Sequence, residues 1–197
     1  QRVSKGLVAM GDVAIHGTEK TAWAELTTAP EAGDTTLELP EAPAGWQEGD
    51  ELVVAPVEDP NDDERREVTG LDGTTVSLGS ALEADHRPPE DDLPVHVANL
   101  DRNVRLGSAS TTEPQRGHVM LMTDEGVHVA NAGLYELGRT DKSRAITNPG
   151  GADTPGENRN ARYPLHFHKT GIDRSAKPHE VEGCVAESSP GWGFVNH

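Results

Sequence analysis

The chain has 197 residues, with 34 Asp and Glu against 17 Lys and Arg, a formal net charge of −17. Glycine and the apolar residues together make up roughly 44% of it, close to the globular norm, so a packed core is expected and wholesale disorder is excluded. A polyanion of this sign repels nucleic acid and anionic lipid, and no apolar run approaches the ~18 residues that cross a bilayer.

Residues 1–100 carry 22 acidic and 6 basic residues, whereas residues 101–197 carry 12 and 11. The first half repels polyanions and the second does not. Cys184 stands alone, so no disulfide framework is expected, and its plain reading is a small buried hydrophobe. Gln1-Arg2-Val3 does not open a signal peptide, and the last strand-like run ends at His197. The sequence reads as an excised or mature piece.

Along the chain, helix periodicity is nearly absent. Short alternating or β-branched runs come first: Leu7–Met10, Asp12–Ile15, Thr35–Leu39, Glu51–Val54 and Thr74–Leu78. Turn chemistry separates them at Ala32-Gly33-Asp34, Gln47–Asp50 and Gly70–Gly73, which is an all-β signature. The acidic stretch Glu58–Glu64 offers oxygens to calcium but lacks the spacing of a dedicated loop, and reads as a solvated turn. Pro88–Asp92 reads as a stiff connector of the same kind.

From residue 100 the strand-like runs are shorter and punctuated by Gly and Asn: 103–107, 118–122, 127–132, 165–168, 181–186 and 194–197. None makes a core alone, but stacked as rungs they bury a continuous one, which is solenoid logic. Residues 139–161, polar and rich in Gly, Pro and Asn, are expected to form a functional lateral loop or a disordered excursion from the rungs.

The sharpest local signal is Arg162–Gly171, RYPLHFHKTG. With Leu165 and Phe167 in the core, period-2 geometry puts His166 and His168 together on the opposite face. Stacked rungs could add His197 or His118, so His166, His168, His197 and His118 form a candidate site for Zn or Cu. The same pair could instead contact substrate as acid or base, or be structural. HExxH, GxSxG, a phosphate loop and GxGxxG are all absent.

Several strings together resemble a known family. Ile15-His16-Gly17, Thr21–Leu26, Trp46–Ala55 (WQEGDELVVA), Asp85-His86 and Leu100–Val104 resemble the domain named for its eight glycines. Gly117–Met120 and the YPLHFH run resemble the start of the right-handed parallel β-helix that follows it in hyaluronan-binding, hyaluronan-degrading and fibrocystin-type proteins. The resemblance implies an all-β chain with an eight-glycine-type domain over 1–107 and the first β-helix rungs over 108–197. It also implies a secreted or cell-surface protein acting on an acidic polysaccharide such as hyaluronan, with Arg102 at the site.

Glycosidic cleavage ordinarily uses two carboxyl groups, and residues 107–117 supply only Glu113, so the sequence leaves enzymatic activity open. Cations of the second half, Arg105, Arg116, Arg139 and Lys169 among them, are candidates to pair with glycan carboxylates. Two other readings stand beside this one. One is a non-catalytic adhesion module whose acidic domain binds calcium or a protein; the other is a histidine-based metal-binding module.

Overall fold

A computed structural model describes residues 5–57, 62–90, 92–124, 126–147, 158–170 and 178–196. The chain opens with β1 (Leu7–Ala9) and β2 (Val13–His16). It continues through β3 (Trp23–Glu25), β4 (Thr36–Glu38), β5 (Glu51–Val54), β6 (Glu64–Asp72), β7 (Thr75–Leu78) and β8 (His96–Asn99). Next come β9 (Val104–Gly107), one 3-10 turn (Glu113–Gln115), β10 (Val119–Leu121), β11 (Val127–Ala130) and β12 (Ala132–Tyr135). The last strands are β13 (Leu165–Phe167), β14 (His179–Glu182), β15 (Val185–Glu187) and β16 (Phe194–Asn196). The all-β expectation holds.

These strands divide between two units, residues 1–17 with 102–197, and residues 18–101. The first unit is a parallel solenoid. Its three sheets run β1-β10-β13-β16, β2-β11-β14 and β9-β12-β15, and every pairing within them is parallel. Each rung therefore contributes one strand to each sheet: β1, β2 and β9, then β10 to β12, then β13 to β15, with β16 opening a fourth.

The expected boundary at 107/108 differs from this division. Residues 5–17 and 102–107, expected in the first domain, are the first rung of the solenoid, and residues 18–101 are inserted into it. Leu7–Ala9 pairs with Val119–Leu121, and Val13–His16 with Val127–Ala130. Parallel pairing across more than 100 residues leaves no trace in local periodicity. Nothing in a three-residue strand says whether its partner is near or far.

Rung stacking fixes the core. Val13, Ile15, Leu106, Val119, Leu121, Val127, Val129, Leu134, Leu165 and Phe167 point inward into one apolar cluster. Between the second and third sheets the second and third rungs turn at a single left-handed residue, and the first rung carries the insertion there. Asn131 (φ 52) and Gly183 (φ 58) take this corner in the left-handed conformation, where glycine or asparagine costs least. At Gly17, the same corner of the first rung, an added Cβ would run into the Asn131 carbonyl oxygen.

The inserted unit is one antiparallel sheet of order β3-β8-β5-β6-β7-β4. Its entry and exit strands, β3 and β8, pair directly, and the Asn99 amide donates to the Ala22 carbonyl at 3.0 Å. Adjacent ends are what an insertion requires, because the host chain is interrupted at a single place. Leu26, Leu37, Trp46, Leu52, Val54, Val68, Val76 and Val97 form its core.

The WQEGDE string is a structural knot in this unit. The Trp46 indole donates to the Thr21 carbonyl at 2.7 Å, and Gly49 turns the chain at φ 89. The buried Asp50 carboxylate then accepts from Lys20 Nζ at 2.7 Å, Asn99 Nδ2 at 2.7 Å and the Gln47 amide at 3.0 Å. Removing it takes an acceptor from the Lys20 ammonium, the Asn99 side-chain amide and the Gln47 backbone amide at once.

Glu64, read from sequence as part of a solvated acidic turn, is instead buried. Its carboxylate accepts from the Glu83 and Ala84 amides, both at 2.8 Å, pairs with Arg66, and lies 3.1 Å from His86 Nε2. Burial pushes the Glu64 carboxyl up, but the two amides, His86 and Arg66 together outweigh it and hold it below its ordinary value. Four donors fixed in a folded loop do what an acidic run in isolation could not.

Two outcomes follow. Asp50→Ala lowers the stability of the inserted unit by about 3 kcal/mol in denaturant unfolding followed by tryptophan fluorescence. Glu64 has a lower pKa folded than unfolded, so its contribution is complete above the unfolded value of 4.5 and is lost as pH falls through the folded one. Thermal melts at descending acid pH should therefore show a steeper drop for the natural protein than for Glu64→Gln.

Candidate functional site

The outer side of the first sheet carries the histidine pair. Leu165 and Phe167 face the core, and His166 faces out, in register with Met120 of the rung before and Val195 of the rung after. The His166 and His168 rings lie edge-on with centroids 5.0 Å apart. His166 is nevertheless fully buried, because this face is covered.

The cover is the segment that joins the second rung to the third. Its return is fixed by backbone bonds, from the Gly138 amide to the Gly117 carbonyl at 2.8 Å and from the Arg139 amide to the Arg162 carbonyl at 2.9 Å. Tyr163, also buried, sets its ring edge-on to His166 at 5.3 Å. Asn158 clamps the segment: its Nδ2 donates to the carbonyls of Asp141 at 2.8 Å, Arg144 at 3.0 Å and Ala145 at 3.2 Å, and its Oδ1 accepts the Asp141 amide. The expected lateral loop is thus anchored at both ends, 139–147 and 158–161; its middle, 148–157, lies outside the described residues.

At the edge of this cover an aromatic and cationic patch opens to solvent. Trp192 is 58% exposed and stacks on Tyr163, with centroids 6.0 Å apart and 23° between the planes. The Lys142 ammonium sits 4.0 Å above the Trp192 ring and 5.2 Å from that of Tyr163. Gly191 is required here, because a Cβ would meet the Thr140 carbonyl oxygen. Arg144 pairs with Asp141 at 2.5 Å and with Glu113 at 2.8 Å. The Ser143 hydroxyl and amide, with Arg144, hold the Asp141 carboxyl below its ordinary range.

The other site residues expected from sequence are dispersed. Arg102 is buried at the corner of the second and third sheets, where its Nε donates to the Gly183 carbonyl at 2.6 Å, so it belongs to a different edge of the solenoid from the histidines. Arg105, on the outer side of the third sheet, stacks on the Tyr135 ring at 3.6 Å. Arg116 pairs with Glu136 and donates to the carbonyls of Thr111 and Ser188, closing the corner between rungs.

Arg139 is buried, donating to the Arg116 carbonyl at 2.7 Å and lying 3.3 Å from His118 Nδ1, which is 2.8 Å from the Lys5 carbonyl. Lys169 is exposed, with a left-handed φ of 54. Among the described residues, no group of three or more His, Cys, Asp or Glu side chains could hold a metal ion, and His197 lies outside the described residues. His118 is committed to Lys5 and Arg139 instead of joining the pair.

Arg102 and Arg139 are held in place by carbonyls the sequence does not reveal. Trp192 and Tyr163 were not singled out from sequence. The one available signal is a tryptophan flanked by two glycines, Gly191 and Gly193.

No family model and no curated protein matches the chain. Among solved structures it is similar to three tailspike proteins of bacteriophages. The gp49 tailspike of Pseudomonas phage LKA1 is 16% identical, with a TM-score of 0.37 over 68% of this chain and 25% of that one. The gp61 tailspike of Pseudomonas phage phi297 is 14% identical, with a TM-score of 0.36 over 98% of this chain and 34% of that one. The Gp54 tailspike of Acinetobacter baumannii bacteriophage AP22, solved in complex with an A. baumannii capsular saccharide, is 13% identical, with a TM-score of 0.32 over 67% and 26%. The chain spans between a quarter and a third of these proteins' length.

The clamp makes a direct test of the cover. Asn158→Ala removes a buried donor from three carbonyls at once and should cost about 1–3 kcal/mol locally. Amide hydrogen exchange over residues 139–147 should accelerate while exchange in β11 and β12 stays unchanged.

Proposed function

We propose that the solenoid unit binds an acidic polysaccharide on the outer side of its first sheet, through Trp192 and Lys142, with the buried Tyr163 backing the Trp192 ring. The observation that carries this reading is the exposed Trp192 ring with the Lys142 ammonium 4.0 Å from it. An indole face packs against the C–H face of a pyranose ring, and an adjacent ammonium pairs with a uronic carboxylate.

Charge supports the same unit. With the insertion bounded at Thr18 and Asp101, residues 18–101 carry 22 acidic and 4 basic residues, and the remainder of the chain 12 and 13. A polyanion is repelled by the first set and not by the second.

Binding, more than cleavage, is what this geometry supports. His166 is fully buried beneath Tyr163, so its role is to position the aromatic above it. Glu113 is held in its ion pair with Arg144. His168, half-buried at the rim, is the remaining acid or base of the pair. Hyaluronan, the polymer implied by the eight-glycine resemblance, is the first ligand to try, and such a polymer places the protein outside the cell or on its surface.

Affinity electrophoresis in gels containing hyaluronan, chondroitin or neutral dextran tests the proposal. The natural chain should be retarded by at least one uronic-acid polymer, less so at high salt, and not by dextran. Trp192→Ala should weaken binding about tenfold or more, and Lys142→Ala should weaken it and flatten the salt dependence. No retardation by any acidic polymer, or retardation unchanged in Trp192→Ala, overturns it.

A further inference from the structure

The turn that carries Lys142 holds a second cation whose charge is already engaged. Arg144 stands two residues on, within about 7 Å along the chain, and is exposed. Its Nε pairs with Asp141 at 2.5 Å and its Nη2 with Glu113 at 2.8 Å. Asp141 is aimed by the Ser143 amide at 2.8 Å and the Ser143 hydroxyl at 2.6 Å, which close the turn. Glu113 arrives from a separate segment, the 3-10 turn before β10. The hydrogen bond to Asp141 and the charge of Glu113 hold the Arg144 guanidinium above its ordinary range.

Two cations, Lys142 and Arg144, thus share the turn with two carboxylates, Asp141 and Glu113. Other cations of the solenoid do not alter this balance. Arg116 pairs with Glu136, Arg139 is buried against the Arg116 carbonyl, and Lys169 follows the far end of β13 from Tyr163. A polymer with a carboxylate on each disaccharide brings one charge to Lys142. A sulfated polymer brings further anions within a Debye length of Asp141 and Glu113, which repel them, while Arg144 is already paired.

We infer that Glu113 sets the charge selectivity of the patch: by pairing with Arg144 it favours unsulfated uronic-acid polymers over sulfated ones. The inference rests on the polysaccharide reading of Trp192 and Lys142. Glu113 acts through Arg144 and not by touching the sugar. It is also separable from the turn, because the Asp141–Arg144 pair and the Ser143 bonds form without it. Asp141 lacks that independence, since it is the acceptor that builds the turn.

Affinity electrophoresis in matched gels tests this, with hyaluronan against sulfated hyaluronan and chondroitin against chondroitin sulfate. The natural chain should be retarded no more by the sulfated member of each pair. Glu113→Gln, checked for fold by circular dichroism, should bind the sulfated members about threefold tighter or more, with a steeper salt dependence, and the unsulfated ones less than about twofold tighter. Adding Arg144→Gln to Glu113→Gln should return the ratio to that of the natural chain, which a general loosening of the fold would not do. Preference of the natural chain for the sulfated members, an unchanged ratio in Glu113→Gln, or no return in the double variant overturns the inference and leaves the Trp192 reading standing. No retardation by any of the four polymers overturns both.

Discussion

Everything in the solenoid unit depends on the parallel, in-register stacking of rungs whose strands are three or four residues long. Such a strand buries almost nothing by itself, and its backbone groups find partners only on the strands above and below. Once Leu7, Val119, Leu165 and Phe194 stand in one column, alternation decides which residues enter the core and which face out. The same constraint selects the corner residues. A tight turn at this corner of the second and third rungs needs a left-handed backbone and little bulk, which Asn131 and Gly183 provide.

Stacking also explains why the chain keeps chemistry on its outside faces. The interior is a narrow apolar column with no room for a polar site, so histidines, aromatics and cations collect on the outer surfaces of the sheets. On the first sheet the outer surface is roofed by residues 137–147 and 158–163, which convert His166 from a surface imidazole into a buried support for Tyr163. On the second sheet no such roof covers His16 and Glu182 among the described residues, and both are exposed. Two sheets of one solenoid therefore present opposite environments to the same residue type.

The insertion of residues 18–101 separates charge as well as structure. The inserted sheet holds nearly all the excess negative charge and uses part of it internally, at Asp50 and Glu64, where carboxylates organise turns through buried hydrogen bonds. The solenoid is close to neutral, and many of its arginines are spent on carbonyl groups: Arg102 on Gly183, Arg116 on Ser188, Arg139 on Arg116. The cations left exposed are a smaller set than the composition suggests, Lys142 and Lys169 among them.

Strand alternation and turn residues were enough to read the all-β class, the rung-like runs after residue 100 and the side-by-side placement of His166 and His168, because these depend on neighbours one to four residues apart. The domain boundary was misplaced because β1 and β2 look like any short strand until their partners beyond residue 118 are known. The same blindness hid the meeting of His16 with His128 and of Tyr163 with Trp192, and it made Arg102 and Arg139 look available when carbonyls already held them. Sequence by itself determined which segments are strands and which faces they alternate between, since φ/ψ preference and hydrophobic pattern are local. Only the tertiary structure decided which strands stack and which outer face is roofed, because register and burial arise from contacts between segments the chain keeps far apart.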